Sequence, residues 1–199
     1  MRVGEIIETS STGLWAESFE LNRPPALGSL VSVRLPGESI DIYAVVSHGR
    51  TAGLDPSRHA VRRGTEDLQD ERIYAAHPEL EHILRTEFAA VFVGYRREGH
   101  VYQHLPPQPP PLHFSVHACE AEEVKRFSAN LRYLRLLLTA TGEVPVEQLL
   151  AAHIRQVYEL RGRDRNWLEV AAREVAALLK TNSESLMTVL YAIEPEGEI

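Results

Sequence analysis

Short runs in which apolar and polar residues alternate, separated by turn residues, occupy the first quarter of the chain. Alternation with a period of two residues is typical of a β-strand with one buried face. Short strands that recur every 8–12 residues or so favour a small antiparallel barrel or sandwich. The four runs are Val3–Thr9, Leu14–Leu21, Leu27–Leu35 and Ile40–Val46.

A polar segment then interrupts this pattern. Residues 47–77 are rich in polar residues and glycine, which predicts a long loop. Pro78–Glu87 predicts a short helix, because proline suits the first turn of a helix. Together they predict an insertion over residues 47–87.

Strand-like patterning returns after the insertion. Phe88–Tyr95 and His100–Leu105 predict two strands of a hairpin, joined by a turn at Arg96–Gly99. Five of the six residues 106–111 are proline, which predicts an extended, semi-rigid spacer. Leu112–Ala118 predicts the last strand.

From Cys119 onward the apolar residues recur every three or four positions, which is the period of a helix. The first such stripe runs from Val124 to Leu138 and predicts one helix. Pro145 predicts the start of the second helix, and Asp164 and Asn182 are suitable N-caps for the third and fourth.

The two patterns together predict an α+β protein. We expect a small antiparallel β-barrel over residues 1–118, which includes the insertion 47–87. A C-terminal helical bundle of about four helices follows over residues 119–199.

The signatures of several common enzyme classes are missing. No Gly-Lys dipeptide occurs, which excludes a P-loop ATPase. No G-x-G-x-x-G follows a strand, and neither H-E-x-x-H nor G-x-S-x-G occurs. We therefore expect a protein that is not an enzyme and binds no cofactor.

Two histidine pairs are candidates for a metal site. His100 and His104 are four residues apart, as are His113 and His117, so each pair shares one face of a strand. On adjacent strands, four imidazoles could bind zinc or copper, and Cys119 could add a thiolate. The simpler interpretation is that all four are half-exposed side chains that flank the proline segment, and we predict no metal site.

Four acidic residues of the insertion are a second candidate, for Mg²⁺ and phosphodiester cleavage. They lie in a predicted loop, without strands to fix their geometry, and a solvated loop explains them more simply. A metal-dependent hydrolase that uses the histidine pairs or this loop is nevertheless an alternative function. The acids are Glu66, Asp67, Asp70 and Glu71.

Arginine supplies 19 of the 21 basic side chains, and several of these arginines lie at predicted turns. Guanidinium groups at such positions can contact phosphates or the acids of a partner protein, or be solvated. The net charge of −7 argues against a surface devoted to nucleic acid. The candidates for partner or phosphate contact are Arg96, Arg97, Arg161, Arg163 and Arg165.

A second alternative is a barrel that binds single-stranded nucleic acid on one face. Such barrels stack bases on aromatic side chains beside basic residues. The aromatic candidates are Trp15, Phe19 and Tyr43.

The segments Arg2–Glu8, Pro24–Val31, Ile42–Val46 and Val91–Tyr95, followed by the proline run, resemble a HAS-barrel. This small β-barrel is shared by HerA-type DNA translocases and rotary ATP-synthase subunits. In the translocases it forms the N-terminal collar of a hexamer and docks a NurA-type nuclease. The translocases carry a P-loop ATPase after the barrel, whereas this chain continues with helices.

The resemblance therefore implies an assembly role without motor activity. It implies docking to a ring ATPase or a nuclease in DNA processing or repair, and it allows a homo-oligomer. No catalytic residue is carried over, because the barrel has none.

The remaining expectations concern the compartment. No apolar run approaches the 20 or so residues that a membrane helix needs, so we expect no membrane partner. The N-terminus lacks the apolar core of a signal peptide, and the single cysteine cannot form an intrachain disulfide. We expect a cytoplasmic protein.

Overall fold

The computed structural model of the protein describes residues 1–35, 37, 39–55 and 59–194. The predicted insertion and helical segment also include residues 56–58 and 195–199, which lie outside the described residues. The strands are β1 (Arg2–Thr9), β2 (Gly13–Ser18), β3 (Leu30–Leu35), β4 (Ile40–Gly53), β5 (Leu84–Arg97), β6 (His100–Tyr102) and β7 (Ser115–Ala118). The helices are α1 (Glu71–Ala76), α2 (Leu80–Ile83), α3 (Ala121–Phe127), α4 (Leu134–Leu137), α5 (Val146–Leu160), α6 (Arg165–Leu178) and α7 (Ser183–Ile193).

Six of the strands form a closed antiparallel barrel. The sheet order is β2-β1-β7-β3-β4-β5-β6, and a further pairing of β2 with β5 closes the ring. The predicted small antiparallel barrel is therefore confirmed. Strand β6 pairs with β5 alone and lies outside the ring.

The barrel interior is filled by the inward-facing apolar residues of these strands. Alternation of inward and outward side chains gives each strand one buried face. Bulges between Tyr43 and Ala44 and between Val46 and His48 interrupt the register of β4 with β5, and such bulges increase the local twist. The interior residues include Ile6, Leu14, Val31, Val33, Ile42, Val46, Phe88, Phe92 and Val116.

The predicted boundaries of the insertion are wrong at both ends. Strand β4 extends to Gly53, well into the predicted loop 47–77, because the first half of β5 pairs with it. The predicted helix Pro78–Glu87 is reduced to Leu80–Ile83, and Leu84–Glu87 belongs to β5. Pairing with β4, joined at Glu87 by pairing with β2, stabilises the strand where local sequence favoured a helix.

The hairpin turn is shorter than predicted. It consists of Glu98 and Gly99, whose φ angles are 51° and 81°. Two positive φ angles are the mark of a type I′ turn, which matches the twist of the flanking strands. Arg96 and Arg97 lie in β5 rather than in the turn.

The first predicted helix is also divided. Residues 124–138 form α3 and α4, which are separated by residues 128–133. The three later helices begin where the sequence predicts. The side chains of Asp164 and Asn182 accept hydrogen bonds from the backbone N–H groups of Trp167 and Ser185, and Pro145 is the N-cap of α5.

The helices after β7 pack on the outer face of the barrel. Tyr43, Val45 and Val93 point outward from β4 and β5 and belong to the same apolar cluster as Leu134 and Ile154. The predicted segments 1–118 and 119–199 therefore share a continuous core, which fixes the position of the barrel relative to the helices.

Candidate functional site

Three rings form a half-exposed cluster on the β5–β6 hairpin, outside the closed barrel. The rings of Tyr95 and Tyr102 stack with centroids 4.9 Å apart and an interplanar angle of 17°. The imidazole of His104 meets both edgewise, at 5.3 and 5.9 Å. Val101 and Tyr102 are 40% and 39% exposed. We call Tyr95, Val101, Tyr102 and His104 the hairpin cluster.

Close packing holds the hairpin cluster against the helices. A Cβ on Gly94 would lie 2.4 Å from the carbonyl oxygen of Tyr102 and 3.1 Å from the ring of Phe127, so only glycine allows this approach. The side-chain amide of Gln103 donates to the carbonyl oxygens of Phe127 and Asn130, at 2.9 and 2.7 Å. The hairpin is therefore a fixed surface rather than a loose loop.

The two arginines of this hairpin have different environments. Arg96 binds Asp41 through Nε at 2.9 Å and also through Nη2, and this carboxylate raises the pKa of the guanidinium. Arg97 is exposed, and no hydrogen bond or ion pair joins its side chain to any described residue. Of the two predicted contact residues, Arg97 is the one whose charge is free for a partner.

The four candidate histidines are not brought together. Strand β7 lies between β1 and β3, whereas β6 pairs with β5, so the two histidine pairs do not lie on adjacent strands. His113 lies 2.8 Å from a carboxylate oxygen of Glu5, and His104 belongs to the hairpin cluster. His100 lies beside its own turn, and His117 is on β7. Among the described residues no three His, Cys, Asp or Glu side chains are grouped to hold a metal ion.

The acids of the insertion are exposed and sit around the start of α1. Asp70 is at the N-cap position of this helix and Glu71 lies in its first turn. Glu66 and Asp67 precede them on the surface. They take no part in any metal-ligand group within the described ranges.

Cys119 lies in a polar cluster on the outer face of the barrel. Burial raises the pKa of its thiol, and the nearby carboxylate of Glu123 raises it further. The hydroxyl of Tyr43 donates to the same carboxylate at 3.0 Å. A thiol that stays protonated is a poor nucleophile and a poor metal ligand, so we assign this cluster a packing role.

The three arginines near the α5–α6 turn also differ. Arg161 is largely buried and donates through Nη1 to the carbonyl oxygen of Lys125 and the hydroxyl of Ser128, at 3.0 and 3.1 Å. Arg163 is exposed and pairs with Glu159 at 3.0 Å. Arg165 begins α6 and lines a groove between α6 and α7. The three predicted contact residues near this turn therefore lie in three different environments.

The predicted stacking aromatics do not form one platform. Tyr43 is buried, which rules it out as a base-stacking residue. Trp15 lies under the guanidinium of Arg50, at 5.1 Å. Phe19 is half exposed, with the guanidinium of Arg2 4.9 Å from its ring centre.

A buried carboxylate was missed by the sequence analysis. Glu87 is 3% exposed and lies between two arginines. One of its oxygens accepts from Nε and Nη2 of Arg50, at 2.8 and 2.6 Å, and the other forms an ion pair with Arg85, 2.9 Å from its Nε. This arrangement compensates the buried charge and ties β4 to β5. The assignment of Glu87 to a helix end concealed it.

A cleft of about 400 Å³ lies where β2 and β5 meet the loop after α4. Hydroxyl side chains and apolar residues line it, including Thr12, Trp15 and Thr139. Among the described lining residues, Glu8 is the one ionisable side chain. The cleft therefore offers no pair of titratable groups for acid–base catalysis.

No protein-family model matches this chain, and no curated protein sequence matches it significantly. In the described ranges, every helix is too short or too polar to cross a membrane.

Proposed function

We propose that this chain is a non-enzymatic assembly protein that docks through its barrel onto a HerA-type ring ATPase or a NurA-type nuclease in DNA processing or repair. The observation that carries the proposal is the hairpin cluster. It lies on a hairpin that extends beyond a closed barrel, and it exposes aromatic and aliphatic surface at a rigid position.

The free edge of strand β6 also supports the hairpin cluster as the docking surface. Every strand of the closed ring has at least two neighbours, whereas β6 has one. Among the described strands, β6 therefore has the free edge, with unpaired backbone groups beside Val101 and Tyr102. An exposed strand edge flanked by apolar side chains is a common contact surface for another protein.

The chemistry of the hairpin cluster defines the partner surface that fits it. Tyrosine and arginine are enriched in the residues that dominate binding energy in protein interfaces. Because Gly94 and Gln103 fix the hairpin, little conformational entropy is lost on binding. We expect the partner to present an apolar pocket for Tyr102 and an acidic side chain for Arg97.

The rest of the chain has a supporting role in this proposal. The C-terminal helices act as a bundle that holds the barrel through the shared core. The resemblance to HAS-barrels and the lone cysteine are consistent with a cytoplasmic ring complex, in which this chain could itself form a homo-oligomer.

The test is an affinity purification from the native organism at moderate salt, with nuclease added and bound proteins identified by mass spectrometry. The bait is the full chain, compared with the double variant Val101→Asp/Tyr102→Ala. The matched control is Leu112→Asp, which changes an exposed apolar residue in the segment before β7.

We expect the wild type and Leu112→Asp to retain a ring ATPase or a nuclease after nuclease treatment. The hairpin variant should lose it, and its affinity for the purified partner should fall at least about tenfold. Equal capture by all three baits would refute the hairpin as the docking surface. Recovery that requires intact nucleic acid would favour the nucleic-acid-binding alternative.

A further inference from the structure

The groove between α6 and α7 is a second apolar surface, far in sequence from the hairpin cluster. Its volume is about 490 Å³. The first turns of α6 and the last turn of α7 line it together, so the two helices run in opposite directions along it. The apolar lining is Leu168, Ala172, Leu190, Tyr191 and Ile193, and the polar lining is Arg165, Glu169 and Glu194.

Helix α7 is apolar on two opposite sides. Val189 and Ile193 are buried against the core. Met187 and Tyr191, which lie four residues apart and so share the other side, are 42% and 69% exposed. Glu184 is the one charged residue among its eleven. A helix with this composition is normally covered on both sides.

The charges at the groove are complementary to the same groove on a second copy. No hydrogen bond or ion pair joins the side chain of Arg165 or of Glu194 to any described residue. Glu169, by contrast, pairs with Arg173 at 3.2 Å. The groove therefore carries one free positive and one free negative charge at the same end.

A two-fold axis parallel to the helices satisfies both charges. It places α6 of one copy over α7 of the other, with the helices antiparallel. Arg165 of each copy then faces Glu194 of the other, which gives two equivalent ion pairs. An axis perpendicular to the helices would instead place α6 over α6 and leave both charges unmatched. Isologous contacts of this kind are the commonest in oligomers.

We propose that this chain forms a two-fold dimer through the α6–α7 groove, in which the Tyr191 side chains enter the apolar contact and Arg165 pairs with Glu194 of the second copy. The groove shares no residue with the hairpin cluster, so this proposal does not rest on the proposed docking function.

The experiment is size-exclusion chromatography with light scattering on the full chain, from about 1 to about 200 µM, because dimerisation follows mass action. The wild type should approach twice the 22.4 kDa monomer mass as concentration rises. Tyr191→Asp should raise the dissociation constant at least about tenfold, since it puts a charge in the apolar contact.

Charge reversal tests the geometry of the contact. Arg165→Glu and Glu194→Arg should each weaken the dimer, and the double variant Arg165→Glu/Glu194→Arg should restore it. Arg163→Glu, which changes an exposed arginine outside the groove, should leave it unchanged. Circular dichroism on each variant separates unfolding from dissociation.

A wild type that stays monomeric over the whole range would overturn the proposal. A dimer that is insensitive to Tyr191→Asp would also overturn it, by showing a different interface. A dimer that responds to Tyr191→Asp but is not restored by the charge swap would refute the antiparallel pairing. Binding of an amphipathic helical peptide by a monomeric wild type would assign the groove to another protein.

Discussion

The imidazole of His153 in α5 binds the carbonyl oxygen of Gly28, which lies 125 residues earlier in the barrel, with Nδ1 and the oxygen 2.7 Å apart. On its other side, Nε2 lies 2.8 Å from the hydroxyl oxygen of Tyr133. The carbonyl can only accept, so Nδ1–H donates to Gly28 and Nε2 accepts from Tyr133. One fully buried neutral histidine therefore connects the barrel to two parts of the helical segment.

Removal of this imidazole should destabilise the whole chain. His153→Ala leaves the carbonyl of Gly28 and the hydroxyl of Tyr133 buried without partners and opens a cavity. We expect the free energy of unfolding to fall by about 3 kcal/mol. Tyr133→Phe removes one hydrogen bond and should cost about 1 kcal/mol. Urea denaturation followed by fluorescence measures both, because Trp15 reports the barrel and Trp167 reports the helices.

The same histidine makes stability depend on pH. Burial lowers the pKa of His153 from 6.5 to about 4. Between these values the unfolded chain binds a proton that the folded chain does not, so acid favours unfolding. The contribution of the neutral imidazole to the free energy of unfolding is fully present above pH 6.5 and is lost as the pH falls towards 4. The difference corresponds to roughly 3 kcal/mol in the free energy of unfolding.

His153→Gln provides the control for this pH dependence, because glutamine can still donate to Gly28 but does not titrate. The variant should have a shallower decline in stability between pH 6.5 and 4.5 than the wild type. The stability of the variant should still fall to some extent as the pH falls, since burial also lowers the pKa of His117. Identical slopes in the two proteins would show that His153 is not the titrating group.

Gly28 should tolerate no side chain. Its φ angle is +82°, and a Cβ would lie 2.4 Å from the backbone nitrogen of His153. Gly28→Ala should therefore lower the free energy of unfolding by at least about 3 kcal/mol, because the backbone of α5 has to move. Gly99 has nearly the same φ, +81°, with open space around it. Gly99→Ala should cost about 1 kcal/mol, which is the conformational penalty alone. Equal losses in the two variants would exclude the steric explanation.

Local signals predicted the elements that depend on local chemistry. Asp164 and Asn182 cap their helices as expected, because the capping bond spans three residues. Elements that depend on distant pairing were missed. Leu80, Ile83 and Leu84 have a spacing that fits one face of a helix. The strand conformation of Leu84–Glu87 comes instead from pairing with β4, which Glu87 combines with pairing to β2.

The hairpin cluster was missed for the same reason. The stacking of Tyr95 on Tyr102 requires the register set by the two-residue turn at Glu98 and Gly99. The predicted four-residue turn would pair Tyr95 with His100 instead and separate the rings. An error of two residues at the start of the turn was sufficient to conceal the candidate site.

Arg161 and Arg163 should respond differently to replacement, although they are two residues apart and both are predicted to contact a partner or a phosphate. Arg161→Ala removes hydrogen bonds to Lys125 and Ser128 and the contact with the Trp167 ring, 5.4 Å from its guanidinium carbon. We expect a loss of about 2 kcal/mol in the free energy of unfolding. Arg163→Ala removes an exposed ion pair, with Arg163 72% exposed, and should change stability by less than about 0.5 kcal/mol. Urea denaturation of both variants measures the difference. A similar small effect in both would show that Arg161 does not hold the α5–α6 turn against α3. It would then be a surface charge available to a partner, as the sequence first suggested.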